Sequence, residues 1–134
     1  MIPENIMYLN DSAMEIEGVR FWGSPITPWF YNWAFNRQRG MEINAHWTKI
    51  PEDTQVLITH GPPWGVLDRT EDGSHVGCED LSRQVQRIQP KLHVFGHIHE
   101  SNGRVEHEGT TYVNASVLNA RYQNVFAPQV WDLR

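Results

Sequence analysis

Two short stretches of this chain carry the residue types that do chemistry. Residues 91–100, KLHVFGHIHE, read as an apolar strand over 92–95 that ends at Gly96 and releases His97 and His99 beyond it. Residues 55–63, QVLITHGPP, have the same build and end in His60-Gly61-Pro62-Pro63. Imidazole is the commonest neutral metal ligand at physiological pH, and three imidazoles with a water form a known zinc arrangement. His60, His97 and His99 are therefore the candidate metal ligands, on the condition that both strands stop at one edge of one sheet. Gly96, just ahead of the histidine pair, gives the backbone freedom to leave the strand at angles that other residues resist.

That condition depends on what joins the two strands. Residues 78–89 place Leu81, Val85 and Ile88 at i, i+4, i+7 with polar residues between them and Pro90 as a stop, which predicts an amphipathic helix. Strand, loop, helix, strand is a βαβ unit, so the two strands are expected to be parallel neighbours with both histidine corners in the crevice at the strand ends. Residues 62–77, with Gly65, Gly73 and Gly77 and no sustained period, predict a loop long enough to cover a site. Upstream, residues 6–9 predict a first strand, and 13–16 and 19–22 flank Glu17-Gly18 as a hairpin. Residues 23–35 carry Pro25 and Pro28 and read as an ordered aromatic loop, while 40–50 predict a helix ended by Pro51. Downstream, 103–107 and 110–114 flank Glu108-Gly109 as a second hairpin, and 129–133 predict a last strand. A single α/β domain over residues 1–134 follows, with no repeat and no linker.

Composition narrows the function. With 134 residues the chain is too short for a (β/α)8 barrel, which removes one large class of His-x-His enzymes. A net charge of -5 and the absence of a Lys/Arg run interleaved with aromatics disfavour nucleic-acid binding. Cys78 is the only cysteine, so no intrachain disulfide forms; no apolar run approaches the ~18 residues of a membrane span, and no secretory leader is evident. A cytoplasmic protein is the expectation. Six tryptophans is a high load, and Trp22, Trp29 and Trp33 either fill a core or line a face that something else covers. His93 falls inside a strand pattern and reads as structural; His46, His75 and His107 read as surface histidines.

The residues Thr59-His60-Gly61-Pro62-Pro63, His75-Val76-Gly77-Cys78, the stretch 91–100 and Tyr112-Val113-Asn114-Ala115-Ser116 together resemble the calcineurin-like metallophosphoesterases. The nearest resemblance is to the small metallophosphoesterase-domain proteins with phosphodiesterase activity, and it runs over essentially the whole chain. It implies the second half of a two-sheet α/β sandwich with flanking helices, a pair of divalent metals (Mn, Fe or Zn) and hydrolysis of a phosphodiester or phosphomonoester. On that pattern His60 and His97 bind one metal and His99 the other. Asn114 and Trp64 are the candidate substrate contacts, against plainer roles in a turn and in packing.

The family's Asp-x-His, Gly-Asp and Gly-Asn-His motifs, which belong to its N-terminal half, do not occur in the 134 residues. Two close dications held by neutral rings alone have nothing to offset their repulsion. The expectation is one ion on His60, His97 and His99, or none, with no catalytic residue assigned. Asp68, Asp72 and Glu100 are the carboxylates that could approach it. Half a sandwich leaves an apolar sheet face in water, so a two-fold dimer that covers it is expected. The competing reading is a non-catalytic oligomeric or binding protein, or one half of a split enzyme. A cupin reading fails on spacing, since its glutamate would fall near Gly103 or Arg104.

Overall fold

The strand that carries His60 and the strand that carries His97 do lie side by side and parallel. In the computed structural model, which describes residues 2–133, the elements run β1 (Ser12–Ile16), β2 (Val19–Ser24), β3 (Thr27–Pro28), β4 (Asn36–Arg37), α1 (Met41–Trp47), β5 (Val56–Thr59), α2 (Glu79–Ile88), β6 (Leu92–Phe95), β7 (Gly103–His107) and β8 (Thr110–Asn114). Six of the strands form one sheet in the order β1-β2-β5-β6-β8-β7; β3 and β4 pair by themselves. The four inner strands are mutually parallel, and each outer strand is the antiparallel arm of a hairpin. Those hairpins turn where expected, with Glu17-Gly18 and Glu108-Gly109 all at positive φ.

Alternation along the strands assigns the two faces. Trp22, Leu57, His93 and Tyr112 stand in one row across β2, β5, β6 and β8, and all are buried. Trp22, Leu57 and Tyr112 pack beneath α1 and α2 through Ile43, Trp47, Leu81, Val85 and Ile88. Cys78 sits buried at the start of α2 as part of the same core. On the opposite face Val56, Leu92 and Val113 are covered by Trp131 and Leu133 of the C-terminal segment. Nearer the strand ends this face lies open: Ile58 is 38% exposed and Val94 half-buried. The fold is thus one α/β layer of the sandwich, with both helices on one side. Charged and polar residues are exposed along the margins, Glu15 on β1 and Arg104, Glu106 and His107 on β7.

Two expected strands are not strands. Residues 6–9 form no ladder; Leu9 is held by side-chain contact, close enough to Gly23 that a Cβ there would meet it at 2.8 Å. Residues 129–133 also remain irregular, because Trp131 and Leu133 lie across the sheet face instead of joining its edge, with Arg104 stacked on the Trp131 ring. The helix expected over 40–50 is shorter, Met41–Trp47, and the aromatic loop contains the small β3/β4 pairing. Among the described residues no helix is long and apolar enough to cross a membrane.

Candidate metal centre

β5 and β6 end level with one another, and the chain ties their exits together. The Gly96 amide donates to the His60 carbonyl at 3.0 Å. Gly96 is not the residue that bends: it is His97 that takes a left-handed φ of 70, a conformation rare for a residue with a side chain. Gly96 is needed for space, since a Cβ on it would come within 3.3 Å of Ser116 Oγ. The left-handed turn swings the His97 ring over β5, where its Nδ1 lies 3.1 Å from His60 Nε2.

His99 lines the same cleft with partners of its own. Its Nδ1 donates to the Asn119 carbonyl at 3.1 Å, and its ring meets the Tyr122 ring at 5.2 Å, edge to face. Among the described residues no three His, Cys, Asp or Glu side chains converge to hold an ion. Two of the three expected imidazoles are thus in direct contact, and the third, His99, lines the same cleft with its Nδ1 held by Asn119 and its Nε2 left bare.

Electrostatics keep the pair neutral. Partial burial lowers the His60 pKa below the ordinary imidazole value. The His97 pKa falls to about 4, through burial first and then the charges that His60 and His99 would carry, against a small opposing pull from Glu100. A neutral imidazole offers one lone pair, which is what a metal takes. Two nitrogens on one tetrahedral ion, each ~2.0–2.1 Å from it, stand roughly 3.3 Å apart. The 3.1 Å spacing of His60 Nε2 and His97 Nδ1 fits that requirement for two donors of a site and for no more.

A cleft of about 680 Å³ opens above the pair. Thr70, Glu71 and Val76 line one side of it, so the loop over 62–77 does border the site. Trp29, Phe30 and Trp33 line another, with the Phe30 ring 5.7 Å from the His97 ring. Trp29 and Trp33 are 56% and 59% exposed, whereas Trp22 is core. The Asn36 side chain bonds the backbone of Phe30 and Tyr31 and so holds this wall in shape. Sequence reasoning noted the aromatic block but gave it no place in the site.

Several expected roles change. Asn114 has no exposed surface; its amide donates to the Ile98 and Leu67 carbonyls and its Oδ1 accepts from Ser116 N, so it braces the histidine corner and does not reach a substrate. Trp64 does not line the cleft and packs against His75 instead. Asp68 is fully buried, bonded to His75 and to the Gly65 and Gly77 amides, and is spent there. Asp72 caps the turn at Thr70 and Ser74. His46 is not a free surface histidine: it is half-buried and paired with Asp11 at 2.6 Å. Only Glu100 of the three carboxylates borders the cleft.

Comparison with known proteins places the chain in a family. The chain is 51% identical over 131 residues to metallophosphoesterase domain-containing protein 1 of Homo sapiens, covering 96% of this chain and 40% of that protein. It is 42% identical to UPF0046 protein K07C11.7 of Caenorhabditis elegans, over 97% of this chain and 44% of that one. A solved crystal structure superposes with a TM-score of 0.59 at 21% identity, covering 81% of this chain and 45% of the other. No protein-family profile matches the chain. By sequence, then, the chain belongs to the metallophosphoesterase-domain proteins, a family that uses divalent metals. It spans about two fifths of the length of the relatives it matches and corresponds to their C-terminal part.

Proposed function

We propose that this chain supplies the histidine half of a metal-dependent phosphoesterase centre that acts on phosphodiesters or phosphomonoesters. The observation that carries this reading is the 3.1 Å pairing of two neutral imidazoles at adjacent strand ends, on the floor of a cleft. His60 Nε2 and His97 Nδ1 would hold one divalent ion, Mn, Fe or Zn, and His99 Nε2 would be left for a second. Such an ion polarises a phosphoryl oxygen and acidifies a bound water. The aromatic wall of Trp29, Phe30 and Trp33 packs the organic part of the ester and keeps water from it.

Zinc or manganese titrated into the chain should bind with one ion per His60/His97 pair, and His60→Ala and His97→Ala should each weaken it at least tenfold. Hydrolysis of a chromogenic phosphodiester should be weak in the chain alone and rise when a polypeptide matching the remainder of a relative's length is added. Metal-free protein after dialysis against Zn, with no hydrolysis in either case, leaves a non-catalytic binding protein. The open sheet face at Ile58 and Val94 supports a second proposal: a second copy covers it in solution. Light scattering at ten micromolar should give twice the 15.6 kDa mass of one chain, and a monomer there ends that proposal.

A further inference from the structure

His93 is the one histidine sealed inside the sheet, with no exposed surface and burial driving its pKa down to about 3. Its row-mates Trp22, Leu57 and Tyr112 are there for packing, and an apolar ring would pack as well between Phe95 and Tyr112. An imidazole in this place comes at a cost to folding, because its Nδ1 is buried without a hydrogen-bond partner. The other nitrogen is where it does something an apolar ring does not.

Proton counting fixes the arrangement. Thr59 Oγ lies 2.7 Å from the Gly61 carbonyl and 2.9 Å from His93 Nε2. A carbonyl oxygen only accepts, so the single hydroxyl proton of Thr59 goes to Gly61. The hydroxyl oxygen must then accept from His93, which makes His93 the neutral Nε2–H tautomer and leaves Nδ1 bare, in agreement with its lack of a partner. The chain of donors runs from the middle of β6, through the last residue of β5, to the Gly61–Pro62 peptide, one residue beyond His60. The His60 carbonyl is held on its other side by Gly96 N.

We infer that Thr59 and His93 form a positioning pair for the His60 corner: His93 orients the Thr59 hydroxyl, Thr59 pins the Gly61 carbonyl, and the pinned corner keeps His60 Nε2 facing His97 Nδ1. This rests on the reading of His60 and His97 as metal ligands, and it makes the affinity of that pair depend on a core residue that never touches the ion. Groups that orient metal ligands from behind typically change affinity by about 10–100-fold when removed.

Two variants break the chain of donors, Thr59→Val and His93→Leu, and two keep it, Thr59→Ser and His93→Gln, whose amide can donate as the imidazole does. Zinc affinity by calorimetry should fall about tenfold or more in the first two and stay within about threefold in the others. Long-range 15N spectra of the metal-free protein give a second readout. Wild-type protein should show His60 and His97 sharing one proton between facing nitrogens, and the breaking variants should lose that pattern. Breaking variants that fold with wild-type zinc affinity and wild-type ring spectra overturn the inference; lowered melting temperature alone would mark a purely structural role. If Thr59→Val fails to fold, His93→Leu decides. Should the wild-type chain bind no zinc, the metal reading has failed, and the ring spectra alone judge the positioning pair.

Discussion

Histidine is used in two contrasting ways in this chain. His46 and His75 are each held on both nitrogens: Nδ1 faces a carboxylate at 2.6 Å, Asp11 or Asp68, and Nε2 accepts from an arginine Nε, Arg37 at 3.0 Å or Arg69 at 3.2 Å. Among the described residues the rings of His60 and His97 hydrogen-bond neither carboxylate nor arginine, only each other. An imidazole whose lone pair is already given to an arginine has nothing left for a cation. The facing pair shares a single proton, and an ion can replace it. The difference shows that availability, not the number of histidines, separates a brace from a ligand set.

Acid should test the contrast most strongly. Burial lowers the pKa of His93 to about 3, and burial also lowers those of His60 and His97. Unfolded histidine titrates near 6.5, so below that pH the unfolded chain holds more protons than the folded one. Stability is complete above about pH 6.5 and is lost as the pH falls toward the folded values, at roughly 1.4 kcal/mol per pH unit for His93 alone. Urea unfolding at pH 7 and pH 5 should differ by about 2 kcal/mol or more, and His93→Phe should flatten the slope. A slope that is the same with and without His93 would mean the ring does not stay neutral in the fold.

Next in size is the removal of a brace. His75→Ala takes from the fully buried Asp68 its imidazole and leaves it two backbone amides, at a cost of about 2–3 kcal/mol in urea unfolding with zinc affinity unchanged. If zinc affinity falls in step, the two groups of histidines are not separate. The smallest effect has the opposite sign. His97→Gly should relieve the left-handed backbone and raise stability by about 0.5–1 kcal/mol while abolishing zinc binding. Loss of both together would place His97 among the braces.

Much of the scaffold was legible because its signals are local. The hairpin turns, the period of Leu81, Val85 and Ile88, and the parallel placing of two glycine-ended strands all follow from neighbours in sequence. The convergence of residues 60 and 97 followed from that topology. What sequence did not disclose depends on distant partners. Which nitrogen of His99 stays bare was not legible, because it is set by Asn119, twenty residues on, which takes its Nδ1. Asp68 looked like a free carboxylate, yet Gly65, His75 and Gly77 enclose it. Residues 6–9 and 129–133 have the composition of strands, but apolar side chains can pack onto a sheet without their backbones joining it, as Leu9, Trp131 and Leu133 do.

The margins of the sheet bear on how these molecules meet. Both outermost strands double back on their neighbours and present charge outward, which discourages sideways growth from molecule to molecule. Of the sheet itself, the open part is the face near the strand tips at Ile58 and Val94. Under the proposed pairing, a slab guarded along its rims and open on one broad side would take one covering layer and then have nowhere further to add. Ile58 and Val94 share one surface pocket with His60 and His97, so a second copy seated there as proposed would stand alongside the paired imidazoles.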